Sequence, residues 1–369
     1  SGAASTSKDG FLDGLTLKGT IANAQGGRVV LPVAGAATTI DRADISIAYG
    51  EGQSWSADVA VTGFANQTLA ARTLALKASG ASENLDDPSS RRLTFNADGA
   101  FSGVTSANPD VAAALGDSIG FGAAGLWNAG SPLQLAQFRL SGKALSLDAK
   151  GVVEGGQFKG NLAIATSSLS PFSGIAGREL AGALNLGAQG SISPLTGGFD
   201  LDVDGTGTDL RIDQPAADRI LAGTVRLTGG IARTAAGVSA RQFRLANDQL
   251  QFEANGNFAS DAADFRFDLG LSDLKLLSDK AEGRLAVTGT ARGEKSDIAL
   301  ALTASVPQGR LLTRPLTRAT VDFKGNLVQG GLSGTLDGTG ILGGQTVTLA
   351  SGLSTVDGAS TLSGLDFQA

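Results

Sequence analysis

A few groups of residues in this chain have the types and spacing for chemistry. Asp200-Leu201-Asp202-Val203-Asp204-Gly205 has the acidic spacing that opens a calcium loop. Such a loop also needs a bidentate Glu at its twelfth position, and Arg211 stands there. Gly120-x-Gly122-x-x-Gly125 and Gly338-x-Gly340-x-x-Gly343 match a dinucleotide fingerprint, whose glycines let a pyrophosphate approach a helix N-terminus. Neither precedes a helical pattern: Leu126-Trp127-Asn128 and Gly344-Gln345-Thr346 lead into turns and strands. With 53 glycines in 369 residues, such matches arise by chance. The pairs Asp86/Asp87 and Asp261/Asp264 could be cast as general acid and base. They sit in loop-like stretches, where carboxylates are usually just solvated. A Ser–Lys dyad needs no His, but nothing singles out one Ser with one Lys. The chain has no Cys and no His, hence no thiolate site, no disulfide and no imidazole base. The expectation is a protein that is not an enzyme, with no metal and no cofactor.

Net charge is −6, without basic clusters, so nucleic acid is not an expected partner, and no polybasic segment for an anionic lipid surface is present. Hydrophobic residues are 42% and charged residues 17%, too apolar for disorder. Val29 to Ala37 is the longest nearly apolar stretch; it is about half a helical membrane span and contains Pro32. No secretory signal opens the chain at Ser1, and Met is absent. A mature or excised fragment is expected, with any anchor lying outside it.

The elements that must position these residues are strands. Phe199, Leu201 and Val203 alternate with Asp200, Asp202 and Asp204. Phe265, Phe267, Leu269 and Leu271 alternate with Arg266, Asp268, Gly270 and Ser272, and Ile298, Leu300 and Leu302 with Ala299, Ala301 and Thr303. Val321 and Phe323 flank Asp322. Successive strand side chains point to opposite faces, so each run has one greasy and one wet side, as antiparallel sheets with one solvated face do. Turn signals at Asn23–Gly27, Glu154–Gly156, Gly229–Gly230, Asp337–Gly338 and Gly343–Gly344 separate the runs. Units of about a dozen residues predict roughly 25–30 strands.

Short helical pieces are expected at Asn108 to Leu115, Ser170 toward Leu180, Asp213 to Leu221, Leu274 to Ala281 and Arg310 to Arg318. Ser82–Arg92 reads as a polar loop. Apolar-x-apolar-x-Ala-x-Gly recurs at Leu74–Gly80, Leu93–Gly99, Leu145–Gly151 and Leu250–Gly256. Gln137-Phe138-Arg139-Leu140 returns as Gln242-Phe243-Arg244-Leu245, an offset of 105 residues. Leu180-Ala181-Gly182 returns as Leu221-Ala222-Gly223. Repetition runs through the whole chain, so residues 1–369 are expected to form one extended repetitive segment, with a weak subdivision into 1–132 and 133–369.

Ser168-Leu169-Ser170-Pro171-Phe172, Leu180-Ala181-Gly182, Asp213-Gln214-Pro215-Ala216-Ala217-Asp218-Arg219-Ile220-Leu221-Ala222-Gly223, Ala263-Asp264-Phe265 and Leu271-Ser272-Asp273-Leu274-Lys275-Leu276-Leu277 with Glu282-Gly283 carry a resemblance over Leu133 to Gly325. The chain resembles the middle region of the TamB family, in the wider AsmA-like group of bacterial envelope proteins. These are repeat motifs, not a catalytic signature. The resemblance implies an all-β fold: an elongated, curled, taco-like antiparallel sheet with a lengthwise apolar groove and a few short helices. It implies a periplasmic place, bound to the inner membrane of a Gram-negative envelope through a segment missing from this fragment. The implied function is shielding of phospholipid acyl chains in the groove during transport between inner and outer membranes. The alternative is a scaffold of the translocation and assembly module for outer-membrane β-barrel and autotransporter secretion. Phospholipid acyl chains are then the partners, with a TamA-like outer-membrane barrel reached through the full-length protein.

The physics points the same way. About 25 strands at 4.8 Å extend roughly 120 Å. An exposed apolar strip that long exceeds what a soluble monomer tolerates, so something apolar should fill it. An acyl chain gains about 0.8 kcal/mol per buried methylene and can still slide. The head group is expected to ride in solvent. The expected lining is Phe199, Leu201, Val203, Val225, Leu227, Phe243, Leu245, Leu250, Phe252, Phe265, Phe267, Leu269, Leu271, Leu285, Val287, Ile298, Leu300, Leu302, Val321 and Phe323. The bland alternative is a passive β-solenoid with an ordinary core, which the irregular repeat spacing disfavours.

Overall fold

The computed structural model describes the chain except residues 7–11, 32–36, 51–52, 68, 107, 109–111, 114, 260–261, 295–296, 329–330, 357–358 and 369. The fold is all-β, with 25 strands among the described residues in an antiparallel sheet. The chain divides into two units, Ser1–Ser191 and Ile192–Ala369.

In the first unit the strands are β1 (Gly2–Thr6), β2 (Leu12–Ala22), β3 (Val29–Leu31), β4 (Thr38–Ile40), β5 (Arg42–Gly50), β6 (Ser54–Ala65), β7 (Leu69–Glu83), β8 (Arg92–Ser106), β9 (Ser118–Asn128), β10 (Leu133–Ser141), β11 (Ser146–Glu154) and β12 (Gln157–Thr166). β1 pairs β2, β2 pairs β5, and β5 through β12 pair in series. The short hairpin β3–β4 adjoins β6. β13 (Ala181–Ser193) straddles the boundary between the units.

The second unit holds β14 (Gly198–Arg211), β15 (Thr224–Arg233), β16 (Gly237–Ala246), β17 (Leu250–Ala259), β18 (Ala262–Leu271), β19 (Ala281–Gly283), β20 (Leu285–Glu294), β21 (Asp297–Leu311), β22 (Arg314–Val328), β23 (Gly331–Leu342), β24 (Gln345–Val356) and β25 (Ala359–Gln368). β14 to β18 pair in series, β18 pairs β20, and β20 to β25 continue in series. β19 lies beside the end of β21.

Helices are few and brief. Pro215–Ile220 starts with Pro at its first positions, and Asp218 turns back to accept from the Ile212 amide at 2.8 Å. Ser170–Phe172 and Ser173–Ala176 form the piece expected after Ser168. Of the expected Asn108 to Leu115 helix, Ala112, Ala113 and Leu115 are helical; residues 109–111 and 114 lie outside the described residues, as do 32–36 of the apolar stretch at Val29.

Four sequence expectations fail locally. Arg310 to Arg318 is not helical: it is the hairpin joining β21 to β22 around Leu312-Thr313, in a register that runs from Asp297↔Val328 to Leu311↔Arg314. Leu274 to Ala281 shrinks to one 3₁₀ turn, Leu274–Leu276, held by Asp273 accepting from Lys275 N at 3.0 Å. Gly229–Gly230 and Asp337–Gly338 are not turns but lie inside β15 and β23. Glu154–Gly156 and Gly343–Gly344 do make tight hairpins, with φ +54° and +79° at Gly155 and Gly156.

The 105-residue repeat is a structural unit. After a bulge in each case, Phe138 faces Ala149 and Phe243 faces Ala254 across the ladder. Arg139 pairs Asp148 at 3.2 Å, and Arg244 pairs Glu253 at 3.0 Å. The bulge inserts one extra residue so that the pleat resumes with both aromatic rings on the apolar face.

Candidate functional site

Register decides which side chains share a face, because directly opposed residues point the same way. Leu201 lies opposite Ile231 and Val203 opposite Gly229; on the next pairs Leu227 meets Leu245, and Leu245 meets Phe252. Phe252 meets Leu269, Leu269 meets Val287 and Leu271 meets Leu285. Leu300 meets Ala291, and Leu302 meets Phe323. The chain of pairings places all twenty residues expected to line a groove on one face of eight strands. Phe199 shares that face through the β14–β15 register, Val225 opposite Gly207, Phe243 opposite Ala254, Leu250 opposite Leu271, Phe265 opposite Gly256, Phe267 opposite Gly289, Ile298 opposite Leu327 and Val321 opposite Ala304.

Val203, Val225, Leu250, Leu271, Ile298 and Phe323 are buried, and the other fourteen are half-buried. Buried core is sparse elsewhere as well. The fourteen half-buried side chains therefore keep part of their surface open on this face.

Aromatic rings lie down on this face instead of standing up from it. An added Cβ at Gly289 would overlap the Phe267 ring, opposite it across β18–β20. A Cβ at Gly325 or Gly334 would stand 2.6 or 2.7 Å from the Phe323 ring. The same device appears in the first unit, where a Cβ at Gly125 would stand 2.7 Å from the Phe95 ring, and at Gly80 2.9 Å from the Trp55 indole. Each ring fills the hole that a glycine leaves in the pleat. Phe243, Phe252 and Phe267 form a ladder with centroids 6.3 and 6.1 Å apart. The surface that results has low relief.

The opposite face is wet. Asp204 pairs Arg226 at 3.1 Å, and Arg241 reaches across β15 to Asp200 at 2.7 Å and Asp202 at 3.1 Å. Gly230 sits between Asp202 and Arg241 in register, and a Cβ there would meet Arg241 Nε at 2.6 Å. The two carboxylates hold the Arg241 guanidinium protonated above its ordinary range, chiefly through the Asp200 hydrogen bond. A polar cleft of about 820 Å³ opens beside it, walled by Arg241, Arg244, Glu253 and Asp268.

The chemical constellations dissolve on this framework. Asp200, Asp202 and Asp204 alternate along β14, where arginines take them, and no group of three metal-ligating side chains occurs among the described residues. Gly120 and Gly122 lie inside β9, and Gly338 and Gly340 inside β23. Asp87 accepts from the Ser89 and Ser90 hydroxyls at 2.7 Å, which hold its carboxyl below the usual range, Ser89 foremost. Asp86 is exposed. Asp264 lies 3.7 Å from Arg292; Asp261 is outside the described residues.

The expected lining omitted residues with equal claim. Leu336, Leu349 and Leu353 continue the apolar face into β23 and β24. In the first unit Ile45, Val59, Leu76 and Phe121 occupy one face in the same way. Their signal was the same alternation, as in Trp55-x-Ala57-x-Val59-x-Val61. Among the described residues no helix is long and apolar enough to cross a membrane. No family model, curated protein or solved structure matches the chain.

Proposed function

We propose that the apolar sheet face carries lipid acyl chains, and that the chain is a non-enzymatic segment of a periplasm-crossing protein that moves phospholipid between inner and outer membranes. In this reading the whole protein is held at the inner membrane by a segment outside this sequence. The observation that carries it is a one-sided apolar face of eight strands, with fourteen of its twenty expected residues only half-buried. Water against that area is costly, at about 25 cal/mol per Å². An acyl chain removes the cost without needing a shaped pocket. The low-relief floor of rings laid over glycines holds a chain without a notch to stop its sliding.

The experiment is mass spectrometry of organic extracts from the purified full chain, paired with titration of a fluorescent phospholipid. Wild-type protein should carry phospholipid. Leu269→Asp, on the half-buried centre of the face, should lose it while keeping its strand circular dichroism. Absence of lipid from both preparations, with no titratable binding, ends the proposal.

A second reading has one observation of its own. β25 exposes Leu362 at 58%, Leu365 at 66% and Phe367 at 59%. An apolar strand with few charges is a template for strand addition, as a scaffold for nascent outer-membrane β-barrels would need. Photocrosslinking from Ser363 separates the two: adducts with barrel proteins favour the scaffold, adducts with lipid favour transport.

A further inference from the structure

We infer that the hairpin joining β21 and β22 is a docking tip for an anionic lipid bilayer. The inference does not depend on what the apolar face carries. Leu312 is 66% exposed at the tip and Leu311 40%. Gly309 to Arg318 contains Arg310, Arg314 and Arg318 and no acid. None of these arginines forms an ion pair among the described residues; Arg310 donates to the Thr313 carbonyl at 3.4 Å. The neighbouring loop adds to both characters. Leu312 N donates to the Lys280 carbonyl at 2.7 Å, which sets the exposed Lys280 beside the tip, and Leu277 in the same loop is 43% exposed. Arg284 follows directly on Gly283, which pairs with Gly309.

The acids nearby are fewer than the cations. Glu282, opposite Arg310, lies 3.0 Å from the Lys275 ammonium. Asp279, 92% exposed, lies 3.9 Å from Arg219, and Asp273 accepts from the Lys275 and Gly283 amides and keeps its charge, against five cations at Lys280, Arg284, Arg310, Arg314 and Arg318. The tip therefore presents a surplus of cations around projecting leucines. No consecutive basic run marks it in the sequence; pairing of β19, β21 and β22 gathers it. Leucines that enter the acyl boundary while arginines meet head-group phosphates form an interfacial anchor. A protein groove would equally accept leucines, but the ring of unpaired cations favours a surface of repeated negative charge.

Flotation of the full chain with vesicles tests this. The probes are phosphatidylcholine vesicles alone and the same vesicles doped with phosphatidylglycerol. Wild-type protein should float with the doped vesicles and be released by salt, with inorganic phosphate no more effective than chloride at matched ionic strength. Arg310→Gln with Arg314→Gln should weaken binding about 30-fold, from roughly 1 kcal/mol per cation. Leu312→Ser should weaken it about tenfold, from partial loss of one buried leucine. Leu195→Ser, at an equally projecting turn 90% exposed and without arginines, should change nothing. All these side chains are exposed, and strand circular dichroism checks each fold. Equal flotation with both vesicle types, flotation with neither, or unchanged binding of the arginine variant overturns the inference. Leu269→Asp, away from the tip, should float with doped vesicles as wild type does; loss of flotation in that variant overturns the inference.

Discussion

Phe252→Ala measures directly whether the apolar face is open. The ring is half-buried, opposite Leu245 and Leu269, and flanked by the Phe243 and Phe267 rings at 6.3 and 6.1 Å. Truncating a fully buried Phe costs about 3–5 kcal/mol. A half-buried ring forfeits about half the transfer free energy, about 1–1.5 kcal/mol. Its two tilted or edge contacts add about 0.5 kcal/mol each at the solvated end of their range. The expected loss is about 2–2.5 kcal/mol. Phe323, 6% exposed on the same face, supplies the internal standard, and Phe323→Ala should cost about 3–5 kcal/mol. Urea unfolding followed by far-UV circular dichroism gives both values. Tryptophan fluorescence would not serve, because Trp55 and Trp127 both belong to the first unit. Bound lipid raises stability by mass action, and Phe252→Ala should shrink that increment. Equal costs for Phe252→Ala and Phe323→Ala in lipid-free protein would mean that a second layer covers the face, and the open-face argument fails.

Gly289→Ala should destabilise by about 1–3 kcal/mol, since its Cβ meets both the Phe267 ring and Leu302 Cδ2, and Phe267→Leu should recover part of the loss in a double-mutant cycle. Asp44 accepts from Arg42 and from the Thr20 hydroxyl, which together hold its carboxyl down to about 2, the Arg42 hydrogen bond foremost. A depressed carboxylate adds stability at pH values above its ordinary 3.8, and that contribution disappears as pH falls toward 2. NMR titration should place Asp44 near 2, and Arg42→Ala should return it toward the ordinary range.

Much of this architecture is written in the alternation itself. Phe265-x-Phe267-x-Leu269-x-Leu271 fixes strand type, face and burial at once, and one-residue slippage would turn all four into water. What the alternation hides is where glycine belongs. Gly229–Gly230 reads as a turn because that pair usually is one. In the folded chain Gly230 makes room for Arg241 to cross a strand, and Gly229, at φ +114°, lies opposite the Gln242 bulge. The β21–β22 tip was concealed for the opposite reason. Leu312 adopts φ +55°, where Asn or Gly would have announced a hairpin; the long register on either side imposes the turn on an unfavourable residue. The tip's basic character needed that pairing to become visible. The flat aromatic rings required knowledge of which glycine lies across which strand.

The ladder described above has a bearing on size. Most strands pair the one before and the one after, and the Phe–Arg–Leu unit with its bulge and cross-strand ion pair occurs twice, 105 residues apart. Cohesion is then a sum of local seams, so hairpins could be duplicated or deleted without retuning a distant interior. The number of strands becomes a quantity that gene duplication can adjust two at a time.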